Sequence, residues 1–189
     1  MLSSPQRLDL RSTRVLVIDD NAQSLELLSQ ILMGFRVSQI VGCRSPAEGW
    51  SEVTSRPYDL ILIDHDMPGE DGVSLTRRIR RETEHANVTA PVILLSGHTP
   101  MERVNEARDA GANLVVKKPV APAVLLARIV WLAHTNREFV ASATYCGPDR
   151  RFRKAAPPEE LGERRAPLLA VTATPERAMS QEEVDALFG

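Results

Sequence analysis

The sequence predicts an α/β domain built on a five-stranded parallel sheet and followed by a mostly disordered C-terminal tail. Three observations carry this expectation. Short runs of branched apolar residues recur through the first two thirds of the chain, segments with helical spacing alternate with them, and beyond Arg137 the composition turns to proline and mixed charge.

The elements follow in order. The run VLVI at 15–18 is too short for a helix and reads as a strand buried on both faces. LILI at 60–63, PVILL at 91–95 and LVV at 114–116 read the same way, and a weaker strand is expected over 37–41. The first helix is expected over 22–33, with Leu25, Leu28 and Leu32 on one face and Gly34 as a stop signal. A second opens at Ser45-Pro46-Ala47-Glu48, a capping-box pattern with proline at the first helical position. A third runs from Gly72 toward Thr83 with Leu75 and Ile79 inward. The fourth opens at Thr99-Pro100-Met101-Glu102 by the same capping logic and ends at Ala110-Gly111, and the fifth spans 121–136. Alternating strands and helices imply right-handed crossovers. Five of each fit a doubly wound sheet in the flavodoxin-like order 2-1-3-4-5, whose ligands bind beyond the C-terminal strand ends.

The expected organisation is an N-terminal arm over 1–12, the α/β domain over 13–136, a disordered linker over 137–178 and a short amphipathic docking helix over 179–189. Pro148, Pro157, Pro158, Pro167 and Pro175 punctuate the tail, which carries too few large apolar residues to offset its chain entropy. With 23 basic and 25 acidic residues the net charge is −2, which argues against a surface built to bind DNA. The basic cluster at 150–154 reads as a solubilising patch of the linker. Cys43 and Cys146 stand in neither a metal nor a redox spacing, which points to a reducing compartment. No apolar run approaches the roughly 18 residues of a membrane span. The first twelve residues lack the apolar core of a secretory signal, so a cytoplasmic location is expected.

The polar residues that follow the apolar runs are the informative ones. Asp19 and Asp20 follow the first, Asp64, His65 and Asp66 the second, Ser96, Gly97 and His98 the third, and Lys117, Lys118 and Pro119 the fourth. In a parallel sheet these ends share one edge, so three carboxylates, a hydroxyl and an ammonium converge there. Two unit charges about 4 Å apart interact by roughly 4 kcal/mol at an effective dielectric near 20. Clustered carboxylates are therefore unfavourable unless one is protonated or a cation joins them. Oxygen-only ligands favour Mg²⁺. Asp66 and Asp71 rival Asp64 for the central place at that edge, although Asp64 directly ends its apolar run, and Lys117 competes with Lys118.

These residues resemble the receiver domain of two-component response regulators. The matching segments are VLVIDD with Asp19 and Asp20, LILIDHDMPGEDG with Asp64 and Met67-Pro68-Gly69, LLSG with Ser96, and AGANLVVKKP with Lys118-Pro119, together covering about 13–136. The resemblance implies that Asp64 accepts a phosphoryl group from a histidine kinase or a small phosphodonor. It implies that Asp20, Asp64 and the backbone carbonyl of Asp66 hold Mg²⁺, with Asp19 acting directly or through water. Lys118 would pair with a phosphoryl oxygen and the Ser96 hydroxyl with another on activation. Such a domain assists its own phosphotransfer and dephosphorylation without being an enzyme on other substrates. Val115 stands where the family usually has an aromatic residue, so output has to rely on Ser96 and loop movement, while His98 and Asp66 sit where phosphoryl lifetime is tuned.

No DNA-binding pattern or further domain follows, so output is expected through protein contacts. In the last segment Ser180 and Glu183 form a capping box, and Val184, Leu187 and Phe188 fall on one face. The segment resembles the short peptides by which the flagellar motor switch protein and the chemotaxis phosphatase bind a receiver, which implies a bacterial chemotaxis or motility pathway. On the fifth helix, Leu125, Ile129, Leu132 and Ala133 make a core stripe, and Val124, Ala127 and Trp131 make a second apolar line. With the fourth helix, that second line is expected to bind a downstream protein, a second receiver on activation as a homodimer, or the tail of the same chain. Two other functions fit the residues: a constitutive interaction scaffold, and a phosphate sink that drains a shared kinase.

Overall fold

A computed structural model describes residues 9–135, 138–142, 144–149 and 180–188, with the backbone alone at 187 and 188. The first eight residues of the expected arm, the cluster at 150–154, most of the expected linker and the side chains of Leu187 and Phe188 lie outside the described residues. Five strands, β1 (Arg14–Ile18), β2 (Gln39–Cys43), β3 (Leu60–Asp64), β4 (Val92–Ser96) and β5 (Leu114–Lys117), form one sheet in the order β2-β1-β3-β4-β5. Every pairing is parallel, as the apolar runs predict. The three central strands β1, β3 and β4 supply much of the core: Leu16, Ile18, Ile61, Leu62, Ile63 and Ile93 are fully buried. Burial on both sheet faces explains why these runs are continuous rather than alternating.

The crossovers are α1 (Ala22–Gly34), α2 (Pro46–Ser55), α3 (Gly72–Arg81), α4 (Met101–Asp109) and α5 (Pro122–His134). Leu28, Ile31 and Leu32 of α1 and Leu75 and Ile79 of α3 are buried. Ser45 caps α2 by accepting from the Glu48 N–H at 3.2 Å, while the Glu48 carboxylate accepts from the Arg44 N–H at 2.8 Å.

Local departures from expectation have local causes. β2 begins at Gln39 rather than Val37, because Val37 closes α1: Arg36 adopts φ 68°, and the Val37 N–H donates to the Leu32 carbonyl at 3.1 Å. The stop therefore comes from Arg36, and Gly34 is the last helical residue. The N-cap position of α4 falls one residue after Thr99. Pro100 takes that place without a side-chain bond, and Thr99 is buried.

The largest departure lies past residue 136, where disorder was expected. Two strands, β6 (Phe139–Ala141) and β7 (Cys146–Pro148), pair antiparallel, and β7 packs on α3. It also meets the turn after α4, backbone on backbone. A Cβ at Gly147 would stand 2.7 Å from the Gly111 Cα, and one at Gly111, whose φ is +93°, would stand 2.5 Å from the Cys146 carbonyl oxygen. Beneath this contact lies Arg80, 1% exposed, which donates to the carbonyls of Gly111 (3.0 Å) and Val88 (2.6 Å) and to the Asn113 side chain (3.1 Å). Its guanidinium also faces the Phe139 ring at 5.4 Å. No carboxylate is among these partners. Burial brings the Arg80 pKa down to about 10, opposed by the Cys146 and Tyr145 side chains. Composition missed the hairpin because the surfaces it packs on, the Arg80 guanidinium and the Gly111 backbone, come from distant segments.

Replacing Arg80 with Met keeps much of the volume but leaves those acceptors without donors. Arg80→Met is expected to lower unfolding stability by roughly 2–3 kcal/mol. Urea titration checks this, and an unchanged midpoint would contradict the stabilising role of those bonds.

Candidate functional site

The parallel register brings the C-terminal ends of β1, β3, β4 and β5 to one edge of the sheet. Asp19 and Asp20 follow β1, Asp64 ends β3, Ser96 ends β4, and Lys118 follows β5. Carboxylate oxygens of Asp19, Asp20 and Asp64 lie within 4.8 Å of one another. The Lys118 ammonium donates to Asp19 Oδ2 at 2.8 Å and stands 2.5 Å from Asp64 Oδ1. Because β4 lies between β5 and β3, only a long side chain bridges this gap. Lys118 is held in place by its own N–H, which donates to the Ser96 carbonyl at 2.8 Å. Lys117, the rival lysine, directs its backbone N–H to the Gln181 side chain at 2.6 Å.

Each carboxylate is positioned differently. Asp19 has no exposed surface, and besides Lys118 it accepts from the Asn21 N–H at 3.0 Å and the Ser24 hydroxyl at 2.5 Å. Asn21 is the N-cap of α1, with its Oδ1 accepting from the N–H groups of Gln23 and Ser24. Sequence reasoning missed Ser24, whose only signal was its place in the first turn of the helix after Asp19. Asp64 is fixed by the start of α3: the Gly72 N–H donates to the His65 carbonyl at 3.0 Å, and a Cβ at Gly72 would come within 2.2 Å of the Asp64 carbonyl oxygen.

The two rival acceptors are engaged elsewhere. Asp71 caps α3, accepting from the Ser74 N–H at 2.6 Å. The Asp66 side chain is 57% exposed and pairs with Arg103 at 2.8 Å and His65 at 3.2 Å, so it does not join the carboxylate cluster. Arg103 was not anticipated. Partial burial acts to raise the Asp66 pKa, but the Arg103 hydrogen bond and the charges of His65 and Arg103 bring it below the usual range. Ser96 is buried, and its hydroxyl donates to the His98 carbonyl at 2.5 Å rather than toward Asp64.

The electrostatics leave negative charge unbalanced, since one ammonium serves three carboxylates. Desolvation raises the Asp64 pKa, with the Asp19 and Asp66 charges adding to it, and outweighs the hydrogen bond and charge of Lys118 that pull it down. Burial acts to lower the Lys118 pKa, but its bonds to Asp19 and Asp64 prevail and hold it above its ordinary value. The donor set is all oxygen and short of cations, so the residues present fit a hard divalent ion such as Mg²⁺. A raised Asp64 pKa means that ionised Asp64 costs stability, and this cost appears as pH rises through that pKa. In metal-free buffer Asp64→Asn is therefore expected to have a higher urea midpoint than the parent at pH 7, with the difference shrinking as pH falls toward 4. Added Mg²⁺ is expected to raise the parent's midpoint and leave that of Asp64→Asn unmoved. A variant less stable than the parent at pH 7 would contradict the assignment.

Among the described residues no helix is long and apolar enough to cross a membrane. Comparison with known proteins agrees with the fold. Residues 15–130, more than half of the chain, match the model of the response regulator receiver domain family. The chain is 29% identical over 140 residues to the sensory/regulatory protein RpfC of Xanthomonas campestris pv. campestris, covering 73% of this chain and 19% of that protein. It is 34% identical over 123 residues to the histidine kinase CKI1 of Arabidopsis thaliana, covering 58% of this chain and 11% of that kinase. The match thus spans a fifth or less of these relatives. Among solved structures, the receiver domain of that kinase, complexed with Mg²⁺ and BeF₃⁻, superposes with a TM-score of 0.57 at 31% identity, covering 65% of this chain and 92% of that domain. A response regulator from Chloroflexus aurantiacus, described as putative, gives a TM-score of 0.59 at 25% identity over 65% of this chain and 98% of that one. Sheet order, the acidic cluster bridged by lysine and the family match over 15–130 agree: this chain belongs to the response regulator receiver domain family.

Proposed function

We propose that this protein is a response regulator that accepts a phosphoryl group on Asp64 from a histidine kinase or a small phosphodonor and signals by docking to protein targets. The observation that carries this reading is the Lys118 ammonium placed between Asp19 and Asp64, with Asp20 beside them, at the C-terminal edge of the sheet. Asp64 is the nucleophile: its carboxylate oxygen forms a bond to phosphorus as the bond to the donor's nitrogen or oxygen breaks, and the electron pair leaves with the donor group. Asp19, Asp20, Asp64 and the backbone carbonyl of Asp66 are the groups that would hold Mg²⁺. When bound, the ion supplies charge neutralisation for the carboxylates and the incoming phosphoryl oxygens.

The protein's own groups do the rest by position and charge. Lys118 gives up its contact with Asp64 to a phosphoryl oxygen and keeps its contact with Asp19, so it stays aligned throughout. The Ser96 hydroxyl has to leave the His98 carbonyl to donate to a second oxygen, which ties occupation of Asp64 to the loop after β4. With Val115 where a ring is usual, that loop is the element left to report the change. The likeness of residues 179–188 to receiver-binding peptides supports a bacterial chemotaxis or flagellar pathway.

Incubation with labelled acetyl phosphate and Mg²⁺ is expected to give an acid-stable, base-labile acyl phosphate on Asp64. Asp64→Asn or chelation abolishes it, and Lys118→Ala slows its formation by roughly 100-fold or more. Undiminished label in Asp64→Asn would move the acceptor to another carboxylate, and equal output-target binding by the parent and Asp64→Asn would favour the scaffold.

A further inference from the structure

β5 is an edge strand of the sheet, so one row of its backbone groups has no neighbouring strand. In this chain that row is occupied. The helix α6 (Gln181–Phe188) packs against β5 and α4. The carboxamide of Gln181 lies along the strand edge: its Oε1 accepts from the Lys117 N–H at 2.6 Å, and its Nε2 donates to the Val115 carbonyl at 3.1 Å. One side-chain amide thus makes both hydrogen bonds that a further strand would make there. Val184 has no exposed surface and belongs to the hydrophobic core. Asp185 forms an ion pair with Arg128 of α5 and also accepts from Gln181 Nε2 at 2.9 Å. The helix start is secured by a reciprocal cap, with Ser180 Oγ accepting from the Glu183 N–H and Glu183 Oε2 accepting from the Ser180 N–H.

We propose that residues 180–188 are a built-in ligand of the face formed by β5, α4 and α5, and that by docking in cis they exclude external helices from it. The face reads three features: a carboxamide that spans Val115 and Lys117, an apolar side chain three residues later, and an acid next to that for Arg128. The excluded partner is thus an amphipathic helix with the pattern Gln-x-x-Val-Asp. Docking in cis is within reach, because the interval 150–179 extends to roughly 100 Å at most. An isolated helix of this length is marginal in water, so α6 gains its order from the face it covers. The inference extends the docking function proposed above but involves no phosphodonor, so the two stand or fall separately.

The test uses the full chain and a fluorescent peptide of residues 179–189. A tether that supplies an effective concentration near 1 mM against a free-peptide Kd near 0.1 mM is expected to weaken peptide binding about tenfold. Disabling the resident helix by Gln181→Ala with Val184→Asp is therefore expected to tighten peptide binding about tenfold, and the same changes in the peptide abolish binding. In parallel, Gln181→Ala alone is expected to speed amide hydrogen exchange at Lys117 by at least about tenfold, with exchange in β1 and β3 unchanged as the control for folding. Equal peptide affinity for the parent and the doubly substituted chain, or Lys117 exchange unaffected by Gln181→Ala, would overturn the proposal. Protection of Lys117 that is lost on dilution, together with a dimer in sedimentation, would place the helix between two copies and overturn docking in cis.

Discussion

The bridge from the Lys118 ammonium to Asp19 and Asp64 is the contact on which the rest of this structure turns. Two buried carboxylates at one sheet edge repel each other, and neither has enough water around it to screen that repulsion. The lysine makes the arrangement tolerable. It reaches the acids only because β4 sets the distance between β5 and β3, and because the Ser96 carbonyl holds the Lys118 N–H. The N-terminus of α1 contributes from the other side, where Asn21 and Ser24 supply donors to Asp19. The site is still short of positive charge, with one ammonium for three carboxylates, and that shortage suits it to a divalent ion.

The end of β5 serves two surfaces at once. At Lys118 the backbone N–H turns inward to Ser96 and the side chain to the acids. At Lys117, one peptide unit earlier, the N–H turns outward to Gln181 of α6. A parallel edge strand has this property by construction, because successive residues direct their backbone groups to opposite sides. The acidic site and the face covered by α6 are therefore separated by one peptide link, with no intervening layer to absorb a displacement.

The hairpin beyond α5 shows how a domain gains structure past its apparent boundary. Residues 138–149 offer little apolar surface of their own, and Phe139 and Tyr145 are their only aromatic side chains. The two strands pack on what lies beneath them: the Arg80 guanidinium under the Phe139 ring, and a glycine at each side of the contact that lets the two backbones meet. Any β-carbon at Gly111 or Gly147 would hold the hairpin away from that cation.

The alternation of buried apolar runs with helical segments was sufficient to expect a doubly wound parallel sheet, and the polar residues ending those runs were sufficient to nominate the acids, Ser96 and the lysine pair. Both signals are local, because a parallel strand buried on both faces has to be continuously apolar and a ligand edge has to follow its C-terminal end. What the sequence left open depended on contacts between distant segments. Tertiary packing set Asp66 on Arg103, used Asp71 as a helix cap and turned the side chain of Lys118 to the acids. It also made α1 end through Val37, ordered the hairpin over Arg80 and laid Gln181 along β5. Each of these is a hydrogen bond or ion pair whose partner cannot be named until the chain has folded, which is why periodicity and composition foresaw the scaffold and only the folded chain decided the partners.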